Sequence, residues 1–422
     1  MGHRVGKDIY RRLGDKIDGC ITRAPWNETF HAILRRLYTS DEADLVVKMP
    51  YGFATLEKIA AVSGYPPDKA KNLLEGLCSK GLVLDFAVGD QARYVVSPLI
   101  IGIFEFTMMR TRGELDTREW ARLFHEYLGN PATFYRANCG AGQKVSSLRA
   151  LPHEGAIAAD EHVEVLDYEK ATAIVESAAK FAVGICSCRH EKLHVDARRC
   201  DVPLQTCASL GTPVDYMVRN GFAREVARGE MQEILARSRD MGLVLCADNV
   251  QKDVSFICQC CACCCNVLLG VSRHGFPNTV VTSNYMASVD HDACAQCGEC
   301  AEACPVNAIA KPNGKGAAAW SPAVDEKICL GCGVCALGCS TGSMQLVPRP
   351  KRVLTPEDTF ERVILQALER GTLQNLLFDN PQSAAHGFLR AFVGGFLRLP
   401  PVQSSLMSET LRSRFLTFMR KG

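Results

Sequence analysis

Eight cysteines form two matching runs, Cys294-x-x-Cys297-x-x-Cys300-x-x-x-Cys304-Pro305 and Cys329-x-x-Cys332-x-x-Cys335-x-x-x-Cys339. This is the spacing that ligates a pair of [4Fe–4S] clusters, and its chemistry is electron transfer. Three thiolates at intervals of three residues can wrap one face of an iron–sulfur cube. So short a loop cannot also deliver a fourth, which must come from the other run. The predicted ligation is therefore crossed: Cys294, Cys297, Cys300 and Cys339 hold one cube, and Cys304, Cys329, Cys332 and Cys335 hold the other. Zinc sites usually pair two short C-x-x-C hairpins across a longer gap, whereas each run here packs four thiols into eleven residues, which favours clusters. Pro305 closes the first run, and Val306, Ala308 and Ile309 offer apolar cover for its cube. The second run ends in Cys339-Ser340, a departure that leaves ligation intact because proline donates nothing to iron. Residues 311–325, between the runs, are rich in Gly and Ala and read as a surface loop.

A second cysteine field lies upstream. Cys186 and Cys188 flank Ser187, so in a strand both would face one side, and Cys200 and Cys207 follow across a loop containing Pro203. Four thiolates around one metal centre is the economical reading of this C-x-C-x11-C-x6-C set. Zinc would accept the same set, but a further cluster extends an electron carrier, so iron–sulfur is preferred. Next comes a run of six thiols in eight residues: Cys258, Cys260, Cys261, Cys263, Cys264 and Cys265. They cannot all serve one small site. If the segment up to Cys260 is extended, Cys258 and Cys260 share a face; a helix starting near Cys261 would group Cys261, Cys264 and Cys265 on another. The run would then bridge two centres or surround one large cluster. Isolated Cys20, Cys78, Cys139 and Cys246 read as ordinary buried cysteines.

These motifs need elements to hold them. A length of 422 residues implies about two to four domains. Residues 27–97 read as a winged helix-turn-helix. Asn27 caps a helix with Phe30, Ile33, Leu34 and Leu37 on one face; a second helix over 55–62 stops at Gly64; a third opens at Pro66-Pro67 with Ala70, Leu73, Leu74 and Leu77. A hairpin through Gly89-Asp90 makes the wing. Lys69, Lys71 and Lys80 could touch phosphates, but no Arg, Asn or Gln set is placed to read bases, and Asp68 and Glu75 oppose them, so nucleic acid is disfavoured.

From residue 98 to 250 strand and helix patterns alternate, with strands over 163–166, 181–186, 243–246 and 254–258, and helices over 168–177, 213–219 and 231–239. No G-x-G-x-x-G or G-x-x-x-x-G-K-[ST] string occurs, so neither a dinucleotide site nor ATP hydrolysis is supported; flavin needs no such string and stays open. A helix is expected over 357–370. The tail from 386 to 422 carries six Lys or Arg against one Glu among Phe388, Leu389, Phe392, Val393, Phe396 and Leu397, a surface suited to a partner, to peripheral membrane contact or to ordinary packing. The expected organisation is α+β and multidomain: 1–97 winged-helix-like, 98–287 an α/β Cys-rich domain, 288–348 dicluster, 349–422 a helical extension.

The formal charge of +2 names no partner, and 22 cysteines without an apolar leader at the N-terminus point to a reducing cytoplasm rather than a disulfide framework. The CSCRHEKLH, CDVPLQTC and ICQCCACCC strings resemble a group of large ferredoxin-type proteins of anaerobic bacteria and archaea. The resemblance implies [4Fe–4S] ligation and an anaerobic redox setting, and it carries no defined substrate. The favoured expectation is an iron–sulfur electron-transfer protein with two [4Fe–4S] clusters and at least one more in the middle domain, serving as subunit or partner of a larger oxidoreductase. The rivals are a redox enzyme with a special cluster at 258–265, for which His153, His190 and His194 are the nearest acid–base candidates, and a redox-responsive regulator that reads DNA through the winged helix.

Overall fold

The computed structural model describes residues 8–110, 116–140, 143–158, 165–310 and 320–421. The chain divides into two compact units, one of Met1–Val145, Arg219–Phe222 and Phe360–Gly422, the other of Ser146–Val218 and Ala223–Thr359. The segment expected over 98–287 is divided between them, with 98–145 and 219–222 in the first unit and the rest in the second. The N-terminal module shares a unit with the C-terminal helices, and the Cys-rich sheet shares one with the two-run segment.

The first unit opens with α1 (Ile9–Asp18), α2 (Glu28–Leu37), α3 (Ser40–Lys48), α4 (Leu56–Ser63) and α5 (Pro67–Ser79), followed by a hairpin of β1 (Val83–Val88) and β2 (Gln91–Val96). Asn27 caps α2 by accepting from the Phe30 N–H, and Gly64 ends α4 in the left-handed region, as their residue types favour. Helix α3 has no counterpart among the elements expected above, although Thr39 and Glu42 form a capping box that announces it. Phe30, Ile33, Leu34, Leu45, Leu74 and Leu77 are fully buried. Each lysine considered for phosphate contact has an acidic partner: Lys69 with Asp41 at 2.8 Å, Lys71 with Glu75 at 3.9 Å and Lys80 with Glu42 at 2.7 Å. Helices α6 (Phe104–Met109), α7 (Thr117–Gly129) and α8 (Phe134–Cys139) follow, with Phe30 and Tyr127 rings 5.3 Å apart between α2 and α7.

The second unit is built on a six-stranded sheet. Its strands are β3 (Leu148–Leu151), β4 (Phe181–Ile185), β5 (Gln205–Leu210), β6 (Ala223–Glu225), β7 (Val244–Asp248) and β8 (Phe256–Cys260), in the order β3-β7-β8-β5-β4-β6. Every adjacent pair is antiparallel, so the alternating helix–strand pattern encodes an α+β layer rather than parallel crossovers. Helices α9 (Ala171–Ser177), α10 (Ser187–His194), α11 (Pro213–Arg219), α12 (Arg228–Asp240) and α13 (Asn266–Ser272) join them. Of the strand expected over 163–166, residues 163 and 164 lie outside the described residues, and 165–166 form no strand. The loop reading of 311–325 likewise falls mostly outside them, at 311–319.

Ile174, Val175, Met231, Ile234 and Leu235 of α9 and α12 cover one face of the sheet, meeting Val183, Ala208, Leu245, Ala247 and Ile257 in a single core. The remaining elements of this unit are β9 (Tyr285–Val289), α14 (Glu299–Ala303), α15 (Val334–Leu337) and β10 (Met344–Pro348), with β9 and β10 paired antiparallel.

The chain ends, back in the first unit, with α16 (Thr359–Arg370), α17 (Leu373–Leu377), α18 (Ala384–Leu397), α19 (Pro400–Leu406) and α20 (Glu409–Lys421). Ile364, Leu365, Leu368, Leu373, Leu397 and Leu416 form their core. Phe388, Phe392 and Phe396 stand on the outside of α18, 70%, 69% and 55% exposed. No helix among the described residues is long and apolar enough to cross a membrane.

Lys16 of α1 is buried and donates to the Met49 carbonyl at 2.5 Å above the Tyr51 ring. Burial, partly opposed by the Cys20 thiol, lowers its pKa from 10.5 to about 7. The unfolded chain therefore holds a proton that the folded chain lacks between those values, and stability rises with pH across that window. Lys16→Met should raise the thermal midpoint at pH 7 and flatten the climb between pH 7 and about 9. Calorimetry of both proteins over that range checks it, and parallel curves would refute it.

Candidate metal centres

In the two-run segment the chain must curl tightly enough to turn every third thiol the same way. The second and fourth residues after each leading cysteine do this with positive φ: Gln296 at 54° and Gly298 at 85° in the first run, Gly331 at 68° and Gly333 at 81° in the second. Two cavities result. One, a space of about 350 Å³ counted together with the open solvent at its mouth, is lined by Cys294, Cys297, Cys300 and Cys339, together with Trp320, Thr341 and Ser343. The other, of about 320 Å³, is lined by Cys304, Cys329, Cys332 and Cys335 with the apolar cover of Val306, Ala308 and Ile309. Each cavity thus carries three cysteines of one run and the last of the other. All eight thiols are free.

The surroundings of the two cavities differ. Cys297 is exposed, whereas Cys329, Cys332 and Cys335 are buried. Burial pushes the Cys335 thiol up to about 12 and Cys332 higher still. At Cys339 burial works the same way but is outweighed by hydrogen bonds from Ser343 and Thr341, which bring the thiol down to about 7. Backbone N–H groups also point at sulfur, from Gln296 to Cys294 at 3.4 Å and from Ala308 to Cys304 at 3.1 Å. Four sulfur donors around one space, with amide hydrogens aimed at sulfur, fit an iron–sulfur cube, whose potential such bonds and burial adjust.

The sheet presents a third set. Cross-strand partners share a face, and Cys207 of β5 and Cys246 of β7 are both in register with Cys258 of β8. Since Ala208, Leu245 and Ile257 point toward α9 and α12, the period of two sends Cys207, Cys246, Cys258 and Cys260 to the opposite face. Cys265 occupies the N-cap position of α13 and interacts with Cys188 and Cys260, and Cys186 occupies that of α10 and interacts with Cys188 and Cys207. Seven thiols therefore converge on this face. Cys246, read from sequence as isolated, sits in the middle of them; its strand position was visible, but its partners depend on register.

Two local expectations are corrected here. Strand β4 ends at Ile185, so Cys186 and Cys188 lie at the start of a helix, not along a strand. Helix α13 starts only at Asn266, leaving Cys261–Cys264 in a turn. Consequently Cys200 does not join Cys186, Cys188 and Cys207. Its sulfur gathers with those of Cys261, Cys263 and Cys264, all four within 4.8 Å of one another.

Arg189 stands between the two sets, fully buried, donating to the Pro203 and Gln259 carbonyls and to Thr206 Oγ1 at 2.6–2.9 Å. The Cys261 thiol is drawn below its ordinary value by the hydrogen bond with Cys264 and, against burial, by Arg189. Of the imidazoles, His153 spans from the Leu243 carbonyl (Nε2, 2.8 Å) to the Cys332 carbonyl (backbone N–H, 3.0 Å), and its pKa is lowered by burial. His190 and His194 pair with each other at 3.0 Å.

A family model described as a 4Fe-4S dicluster domain matches residues 281–343. No curated protein and no solved structure matches the chain. Residues 281–343 thus form a ferredoxin-type iron–sulfur domain within a mixed α+β protein.

The second cavity leaves no room at its glycine. A Cβ on Gly331 would lie 2.1 Å from the Tyr285 carbonyl oxygen, at a φ of 68° that L residues rarely adopt. Gly331→Ala should cost at least about 1–3 kcal/mol and preferentially lower iron bound at this cavity. Chemical denaturation and the spectrum of the reduced clusters check it; an unchanged spectrum and midpoint would count against the cavity.

Proposed function

We propose that the chain is an iron–sulfur electron-transfer protein of an anaerobic oxidoreductase system, receiving charge at the exposed cavity and delivering it, past the buried one, to the thiol face of the sheet. The observation that carries this is contiguity. Cys300 of the first cavity interacts electrostatically with Cys335 of the second, and Cys332 of the second with Cys246 on the sheet. Cys294, Cys297, Cys300 and Cys339 would hold one [4Fe–4S] cluster, and Cys304, Cys329, Cys332 and Cys335 the other. Each cluster supplies a one-electron couple. The protein's part is to present the first centre to a partner, exclude water from the second and fix the short separation between them.

Cys186, Cys188, Cys207, Cys246, Cys258, Cys260 and Cys265 would hold a further cluster. Their number exceeds the four sulfur ligands of an ordinary cube, and this excess is what favours the second reading, an enzyme with a special cluster as its reducing centre. A DNA-reading role for the N-terminal module finds less support, because Lys69, Lys71 and Lys80 are each occupied by a carboxylate. That module is assigned to protein contact. The exposed Phe388, Phe392 and Phe396 stripe, with its basic neighbours, is assigned to peripheral contact with a partner complex or anionic membrane surface.

Anaerobically purified protein should contain about twelve or more irons per chain with matching acid-labile sulfide, since the ferredoxin pair alone accounts for only about eight. Cys339→Ala should remove the signal of the exposed centre and about four irons, leaving the buried centre reducible. If it instead abolished the centre of Cys329, Cys332 and Cys335, the crossed ligation would be wrong. Flotation with phosphatidylserine-containing vesicles should detect salt-sensitive binding that the triple Phe388, Phe392, Phe396→Ser variant loses; wild-type protein that never floats would assign the stripe to protein alone.

A further inference from the structure

We infer that Cys200, Cys261, Cys263 and Cys264 bind a single zinc ion in a closed tetrahedral site, separate from the iron–sulfur centres. The sulfur spacing is the first argument. Cys200 lies 3.6 Å from Cys261 and 3.9 Å from Cys264, and Cys263 lies 3.9 Å from Cys261 and 3.5 Å from Cys264. A zinc–sulfur bond of about 2.3 Å places the corners of a regular tetrahedron about 3.8 Å apart, which these edges straddle. They are far too long for disulfides, and all four thiols are free.

The same molecule supplies the contrast. Among the described residues, this is the one group of three or more ligand atoms drawn within 4.8 Å of one another. The ferredoxin cysteines do not draw together in this way; their quartets line two spaces of about 350 and 320 Å³, open solvent included. A cube needs that space between its ligands, and one ion does not. Sulfurs already at tetrahedral contact leave no volume for four irons and their sulfides.

The shell around the group is that of a structural site. Val202 and Leu243 pack against Cys261 and Cys264, which are 7% and 1% exposed, while Cys200 and Cys263 are half-buried, and the four sulfurs together fill the tetrahedral coordination of one ion. Four thiolates and a divalent ion leave net negative charge, and the chain answers it. Arg189 hydrogen-bonds to Cys261, the Arg199 backbone N–H points at Cys263, and Arg198 holds the loop by donating to the Cys200 and Val202 carbonyls at 2.7 Å. The consequence is mechanical. The turn over 261–264 lies between Cys260 and Cys265, both on the sheet-face set, so a metal knot in the turn fixes where those two thiols point.

Zinc, iron and sulfide per chain, with zinc-edge X-ray absorption, test this on the full-length protein purified anaerobically. Expected are about one zinc per chain with sulfur neighbours alone at about 2.3 Å and no iron in the next shell. Cys263→Ser and Cys264→Ser should each lower bound zinc at least tenfold while acid-labile sulfide stays at the wild-type level. Absence of zinc from folded wild-type protein would overturn the inference, as would joint loss of iron and sulfide in the variants, or iron with four sulfur neighbours in place of zinc. Should the variants fail to fold, the wild-type absorption spectrum decides alone. Failure of the electron-transfer reading would appear separately, as missing iron in the ferredoxin domain with zinc unaffected.

Discussion

Thiolates repel one another, and the second unit is arranged around that fact. Two unit negative charges about 4 Å apart inside a protein oppose each other by about 4 kcal/mol at an effective dielectric of about 20. Thiols at this density persist only where protons or positive charge sit among them. Arg189 provides the fixed share. It is fully buried and held by three hydrogen bonds to the loop before β5, to β5 itself and to β8, so its guanidinium cannot retreat to solvent. On the proposed reading metal would supply the rest, and the thiol groupings would follow from where it can be placed.

The pleat of an antiparallel sheet does the sorting. Ala208, Leu245 and Ile257 bury against α9 and α12, which commits their neighbours Cys207, Cys246 and Cys258 to the other face in one row. A slip of one residue in β8 would send its thiols into the apolar core and its isoleucine outward. The same hydrophobic contacts that hold the sheet together therefore fix the cysteine geometry. No separate device is needed to aim them.

This explains what could be read in the sequence and what could not. The ferredoxin-type runs were legible because their motif is a matter of local spacing, and Asn27, Gly64 and Pro67 marked helix ends for equally local reasons. Cys246 was not, since its neighbours come from β8 and, beyond it, β5, through register rather than proximity in the chain. Cys200 failed for a related reason. Spacing tied it to Cys186, Cys188 and Cys207, but helix α10 carries the chain away before Cys200, and the turn at 261–264 returns to meet it. The dense run at 258–265 is divided between strand, turn and the N-cap position of α13, a division that depends on where α13 starts.

Placing a redox-silent ion beside redox centres has a physical logic. An electron carrier works best when its surroundings do not rearrange as charge arrives, and a turn of consecutive free cysteines would be soft and prone to oxidation. Zinc holds one oxidation state and a fixed tetrahedral geometry. Bound at Cys200, Cys261, Cys263 and Cys264, it would pin the turn without competing for the electron, and Cys260 and Cys265 would inherit that rigidity from either side. The burial gradient then acquires a direction. On the proposed reading the exposed Cys297 end would meet a partner, the buried Cys332 end interacts electrostatically with Cys246, and the knotted turn would keep the last set of thiols in place.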